Sequence, residues 1–146
     1  ELARILAYLR SVPPAKGPAP EVTVGWKGRL GLALGEFHTT QHYVRKVESL
    51  RFEVPDSLAD GLYLARTGCT ECHSADLAGD PSGRPPDLKI VAGYSEAQFR
   101  HFLHTGEALG GRELPLMSDM ARRRFSAFTE AEVTALYHYL RSRAAG

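Results

Sequence analysis

Hydrophobic positions recur with a helical period in several stretches of this chain. Leu2, Ile5, Leu6 and Leu9 fall at the i, i+3, i+4, i+7 spacing of one helix face, and Pro13 and Pro14 stop the pattern. After Pro55, residues Leu58, Leu62 and Ala65 share a face, with Asp56 or Ser57 placed to cap the helix and Gly68 to close it. Ser95 with Gln98 makes a capping-box pair ahead of Phe99, Phe102 and Leu103, and Gly106 follows. Thr129 with Glu132 repeats the device ahead of Val133, Leu136, Tyr137 and Leu140. Between Glu21 and Val54 the apolar residues (Val22, Val24, Trp26, Leu30, Phe37 among them) keep no clean period. That stretch reads as an extended wrap against a neighbouring surface, with a short helix near Thr39 to Val47.

No segment alternates convincingly enough for a strand, so the fold class is all-α. From residue 55 onward it reads as three helices joined by two long, Gly- and Pro-rich loops, one after Cys69 and one after Gly106. Loops of about 20 residues are uncommon inside a compact domain unless something else holds them. A large flat cofactor would do so.

The chain begins much as it ends. "ELARILAYLRS" at residue 1 and "EVTALYHYLRS" at Glu132 align without a gap, sharing Glu, Tyr, Leu, Arg and Ser in register. Together with the Pro/Gly/Ala/Lys composition from Ala15 to Pro20, this divides the chain into a helical segment at 1–14, a linker or wrap at 15–54, and a domain at 55–146.

Size and charge narrow the options. The 146 residues, 43% hydrophobic, suffice for one ordinary domain and a remainder. A balance of 18 basic and 17 acidic side chains gives a net charge of +1, which argues against a nucleic-acid binder or a membrane-surface binder. The run Arg122-Arg123-Arg124 reads as a solvated turn. No apolar run approaches the ~18 residues of a membrane span, and no signal-peptide pattern is visible. The first residue is Glu, and the expectation is a processed or excised piece of a longer precursor, with any membrane association made through partners or missing segments.

The two cysteines, Cys69 and Cys72, stand three positions apart with His73 immediately after. Cys-x-x-Cys-His lets each thiol add to one vinyl group of a haem edge while the imidazole swings beneath the ring to the iron. A thioredoxin-like pair would need a preceding strand and a βαβ context. Zinc would need two further ligands from scattered histidines. A plain disulfide would leave the long loops unexplained.

Residues 55–146 resemble a class I bacterial cytochrome c domain. The resemblance is carried by "CTECH", "DLAG" at Asp76 to Gly79, "PPDL" at Pro85 to Leu88, a Met in "LPLMSDMA", and the closing "FTEAEVTALYHYLRS". It implies one covalently bound haem c with Cys69 and Cys72 as thioether anchors and His73 as proximal iron ligand. It also implies that the Pro86 carbonyl accepts from that imidazole and that Met117 is the sixth ligand, with Met120 the competing candidate. Leu88, with Leu77 and Phe125, would keep water from the ring.

The implied function is electron transfer, without enzymatic activity. The alternative is a haem enzyme or gas-binding domain whose sixth site is open or displaceable. On this reading the opening helix belongs to a missing upstream cytochrome c domain, as in multihaem subunits that pass electrons from a dehydrogenase to a respiratory acceptor. The implied partners are a dehydrogenase donor, a cytochrome or oxidase acceptor and that upstream domain, and the implied compartment is the bacterial periplasm. His101, His104 and His138 read as surface residues, and His38 with His42 as a pair lacking a third metal ligand.

Overall fold

The periodic apolar stretches are helices in the computed structural model, which describes residues 2–14, 16–18, 21–50, 52–81 and 85–145. Glu1, parts of the linker expected at 15–20 and Ser82 to Arg84 of the first long loop lie outside the described residues. Contacts divide the chain into two units, Glu1–Thr39 and Thr40–Gly146.

In the first unit, α1 (Leu2–Ser11) forms over the amphipathic opening and buries no residue. The next helix, α2 (Trp26–Ala33), corrects the expectation of extended chain. Its residues Gly28 and Gly31 lower helix propensity and its apolar residues keep no single face, so neither signal that marks a helix was present.

The second unit opens with α3 (Thr40–Ser49), the helix expected near Thr39 to Val47. A 3-10 turn at Asp56–Leu58 then leads into α4 (Ala59–Gly68). Neither Asp56 nor Ser57 caps α4: its N-cap is Leu58, with no side-chain hydrogen bond, because the tight turn supplies the entry geometry instead. One further turn, α5 (Thr70–His73), carries the cysteine motif.

After a 3-10 segment at Leu88–Gly93 comes α6 (Glu96–Thr105), opened by a complete Ser95–Gln98 capping box and closed by Gly106 in the left-handed conformation. The second long loop is not a plain loop. It holds a small antiparallel pair, β1 (Glu107–Ala108) with β2 (Arg112–Glu113), then α7 (Pro115–Arg123) and a 3-10 turn at Phe125–Ala127. Two-residue strands are too short to show alternation, and α7 interleaves its apolar residues with charges. The chain closes with α8 (Glu130–Ser142), which has its expected Thr129–Glu132 capping box.

The core gathers around α8. Val133, Leu136, Tyr137, Tyr139 and Leu140 are buried on it, against Ala65 of α4 and Phe99, Phe102 and Leu103 of α6. The crossing of α4 and α8 is close because residue 61 is glycine: a Cβ there would collide with the Ala135 carbonyl and the Tyr139 Cβ. Polar ties fix the remaining register. Tyr137 Oη donates to Tyr94 O at 2.9 Å, and Arg100 of α6 pairs with Glu130 of α8 at 2.6 Å. Among the described residues no helix is long and apolar enough to cross a membrane.

Candidate functional site

Cys69 is the hinge between α4 and α5. Its N–H donates to Ala65 O at 2.9 Å, completing α4, while its own carbonyl accepts from His73 N at 2.9 Å, opening α5. The single turn that follows sets Cys69 and Cys72 at i, i+3 on one helix side, half-buried and exposed respectively, and turns His73 inward to 7% exposure. Burial, and secondarily the neighbouring Cys72, push the Cys69 thiol up to about 11. A thiol-disulfide catalyst needs the opposite shift. Among the described residues no three His, Cys, Asp or Glu side chains come together as a metal site.

The chain beyond His73 turns back on itself at some cost. Ser74 and Leu77 adopt left-handed backbone conformations with φ 68° and 61°, each disfavoured by roughly 1–3 kcal/mol for a non-glycine residue. Local bonds over-determine them: Leu77 N donates to Ser74 O at 3.0 Å, Gly79 N to His73 O at 2.9 Å, and Ser74 Oγ to Gly79 O at 2.8 Å. At Gly79, φ is +78° and a Cβ would collide with backbone atoms of Pro85, Pro86 and Asp87. The absent side chain lets the second limb of the loop lie on the first, joined by Leu88 N to Leu77 O at 3.0 Å.

That close approach delivers the Pro86 carbonyl to His73 Nδ1, 2.8 Å away. A carbonyl can only accept, so the bond requires the proton on Nδ1 and leaves the Nε2 lone pair free. An imidazole buried, oriented and set in this tautomer fits a metal ligand from a haem iron, which needs one basic nitrogen and a fixed ring plane. Leu77 and Leu88 are buried at the same loop, and the ring edge of the buried Phe125 lies against Gly68, next to Cys69.

The methionines both lie on α7, one turn apart, and both pack half-buried against the core. Met117 is in the first turn, beside Ser118, which is fully buried. Ser118 Oγ accepts from Leu114 N at 2.8 Å and donates to Gly106 O, tying the start of α7 to the end of α6. Arg122 pairs with both carboxylate oxygens of Glu113, at 2.8 and 3.2 Å, and that hydrogen bonding holds the Glu113 carboxyl below its ordinary range. His101, beside Glu107 at 3.3 Å, and His138, 3.9 Å from Glu96, are exposed. His104, also expected at the surface, is instead half-buried and lies 3.9 Å from Glu130, because the α6–α8 packing covers it. The sequence reading missed Gly79, Ser118 and Arg143. Only Gly79 had a local signal, its place in "DLAG".

A protein-family model described as Cytochrome c matches residues 58–144, more than half of the chain. The chain belongs to the cytochrome c family, and residues 58–144 are an all-α domain of class I type with one covalently bound c-type haem. Electron transfer through such a haem, with redox proteins as partners, is the activity of this family. No curated protein and no solved structure matches the chain.

Proposed function

We propose that Cys69 and Cys72 would anchor the haem, that His73 Nε2 and the Met117 sulfur would hold its iron, and that the domain passes electrons from a dehydrogenase to a cytochrome or oxidase in the bacterial periplasm. The observation carrying this reading is the 2.8 Å contact between His73 Nδ1 and Pro86 O, which leaves the other ring nitrogen as a donor. Haem, when bound, supplies a one-electron iron couple. The chain supplies the rest. Two protein ligands leave no position for substrate, a thioether sulfur favours the reduced state, and buried Leu77, Leu88 and Phe125 keep water away and push the same way. Met117 is favoured over Met120 because the buried Ser118 beside it anchors the first turn of α7.

The ferric absorption spectrum tests the ligand set. The weak long-wavelength charge-transfer band of methionine–iron ligation is expected in the natural protein, lost in Met117→Ala and kept in Met120→Ala. High-spin features and rapid carbon monoxide binding in the natural protein would instead favour a haem enzyme or gas-binding domain with an open sixth site.

The same reading extends to α1 as the closing helix of a further cytochrome c domain in the same precursor. In the gapless alignment, buried Val133, Leu136, Tyr137, Tyr139 and Leu140 correspond to Leu2, Ile5, Leu6, Tyr8 and Leu9, which are 42–69% exposed. A similar apolar face is thus covered in one helix and open in the other. Mass spectrometry of the natively matured full-length gene product should show more than one haem adduct; a single adduct would overturn this assignment.

A further inference from the structure

Arg143 follows the last turn of α8, with its side chain only 18% exposed. Its Nη2 donates to Asp76 O at 2.6 Å, and its Nη1 lies 3.5 Å from Leu77 O and 3.6 Å from Asp87 Oδ1. These partners lie on both limbs of the loop that orients His73. Asp76 and Leu77 come just after the histidine, and Asp87 is bonded directly to Pro86, whose carbonyl faces His73 Nδ1. The same Asp87 Oδ1 accepts from Lys89 N at 2.8 Å, so the residue bonded to Pro86 is held both by its own chain and by Arg143.

The chemistry suits arginine. A planar guanidinium presents several donors in a fixed fork and can hold two carbonyls and a carboxylate at once, while an ammonium is a single point of charge. Without the fork, the Asp76 and Leu77 carbonyls lose a charged donor, and the left-handed residue Leu77 loses one of the contacts that hold it.

We propose that Arg143 is a positioning residue for the haem iron: by clamping both limbs of the loop it sets the Pro86 carbonyl against His73 Nδ1, and through that bond tunes the balance between ferric and ferrous iron. The inference rests on His73 being the axial ligand. A firm Nδ1–H···O bond makes the imidazole more electron-rich and favours ferric iron. Loosening it favours ferrous iron. The positive charge of Arg143 acts separately, since a nearby cation favours the state with one more electron.

Arg143→Lys and Arg143→Gln in the full haem-loaded chain separate the two effects. The readouts are an equilibrium redox titration and the exchange rate of the His73 Nδ1 proton by NMR in the ferrous state. Both variants should exchange that proton more than tenfold faster. At the midpoint potential of the natural protein, Arg143→Lys should raise the ferrous-to-ferric ratio at least threefold. Arg143→Gln should raise it less, because the lost charge pulls the other way. If Arg143→Lys matches the natural protein in both readouts and only melts earlier, Arg143 is an anchor for the helix end and the inference fails. It fails equally if Arg143→Gln shifts toward ferric iron with normal proton exchange, since charge alone would then act. If the glutamine variant does not fold, the lysine variant decides. Failure of the axial-ligand reading shows separately, as a natural protein whose His73 ring carries no sign of iron ligation before any substitution is made.

Discussion

Gly79 concentrates several demands on one residue. It adopts a positive φ, it leaves room for the backbone of Pro85 to Asp87, and its N–H closes the turn back to His73 O. An added methyl group violates the first two at once, and the neighbouring backbone has little freedom to move. Gly79→Ala should therefore lower the stability of the haem-loaded domain by roughly 1–3 kcal/mol, read from denaturant unfolding, and speed exchange of the His73 Nδ1 proton. Stability loss with an undisturbed ring proton would mean that the loop limbs can separate without moving the Pro86 carbonyl. The motif Cys69, Cys72, His73 was readable in the sequence because its chemistry needs only one helical turn. The demands on Gly79 were not, because they come from residues that fold back onto it.

At the scale of elements, the helices with strong local signals are the ones whose ends the structure places where the residues imply. Ser95–Gln98 and Thr129–Glu132 both form complete capping boxes. In the second, Glu132 accepts from Thr129 N at 2.7 Å, and this backbone bond, followed by that from the Thr129 hydroxyl, lowers the Glu132 carboxyl below its ordinary value of 4.5. A depressed folded-state value gives stability that is present above the unfolded value and is lost as pH falls through the folded one. Glu132→Gln should therefore flatten the acid limb of a pH–stability curve below about 4.5, and equal acid slopes in the two proteins would contradict it. Signals failed where local and tertiary effects parted company. Trp26–Ala33 is helical despite two internal glycines, and Pro115–Arg123 forms with its start tied by Ser118 to the end of α6 rather than by a side-chain cap.

For the whole molecule, the haem is expected to be part of the fold as well as its cargo. The loop after His73 folds back on the histidine, and Leu77, Leu88 and Phe125, none of them on an α-helix, are buried in the same core as the residues of α4, α6 and α8. Covalent attachment also shortens the disorder available to the unfolded chain around Cys69 and Cys72. Cys69→Ser combined with Cys72→Ser, expressed with haem-attachment machinery, should yield protein without a haem adduct and with a broadened thermal transition. A sharp transition at the natural temperature would show that the polypeptide packs independently of the ring.

The sequence alone determined the helical periods, the capping boxes and the five-residue haem-attachment motif, because each is a relation between residues a few positions apart. It also revealed the repeat between the two ends of the chain. It pointed to Met117 as sixth ligand only through the family resemblance, with Met120 left as the competing candidate three positions on. Tertiary structure decided which of two matching apolar faces is buried, how closely α4 can approach α8 at Gly61, and that Arg143 reaches Asp76 across 67 positions of chain. Those outcomes depend on which distant surfaces meet, and no local pattern of side chains encodes that.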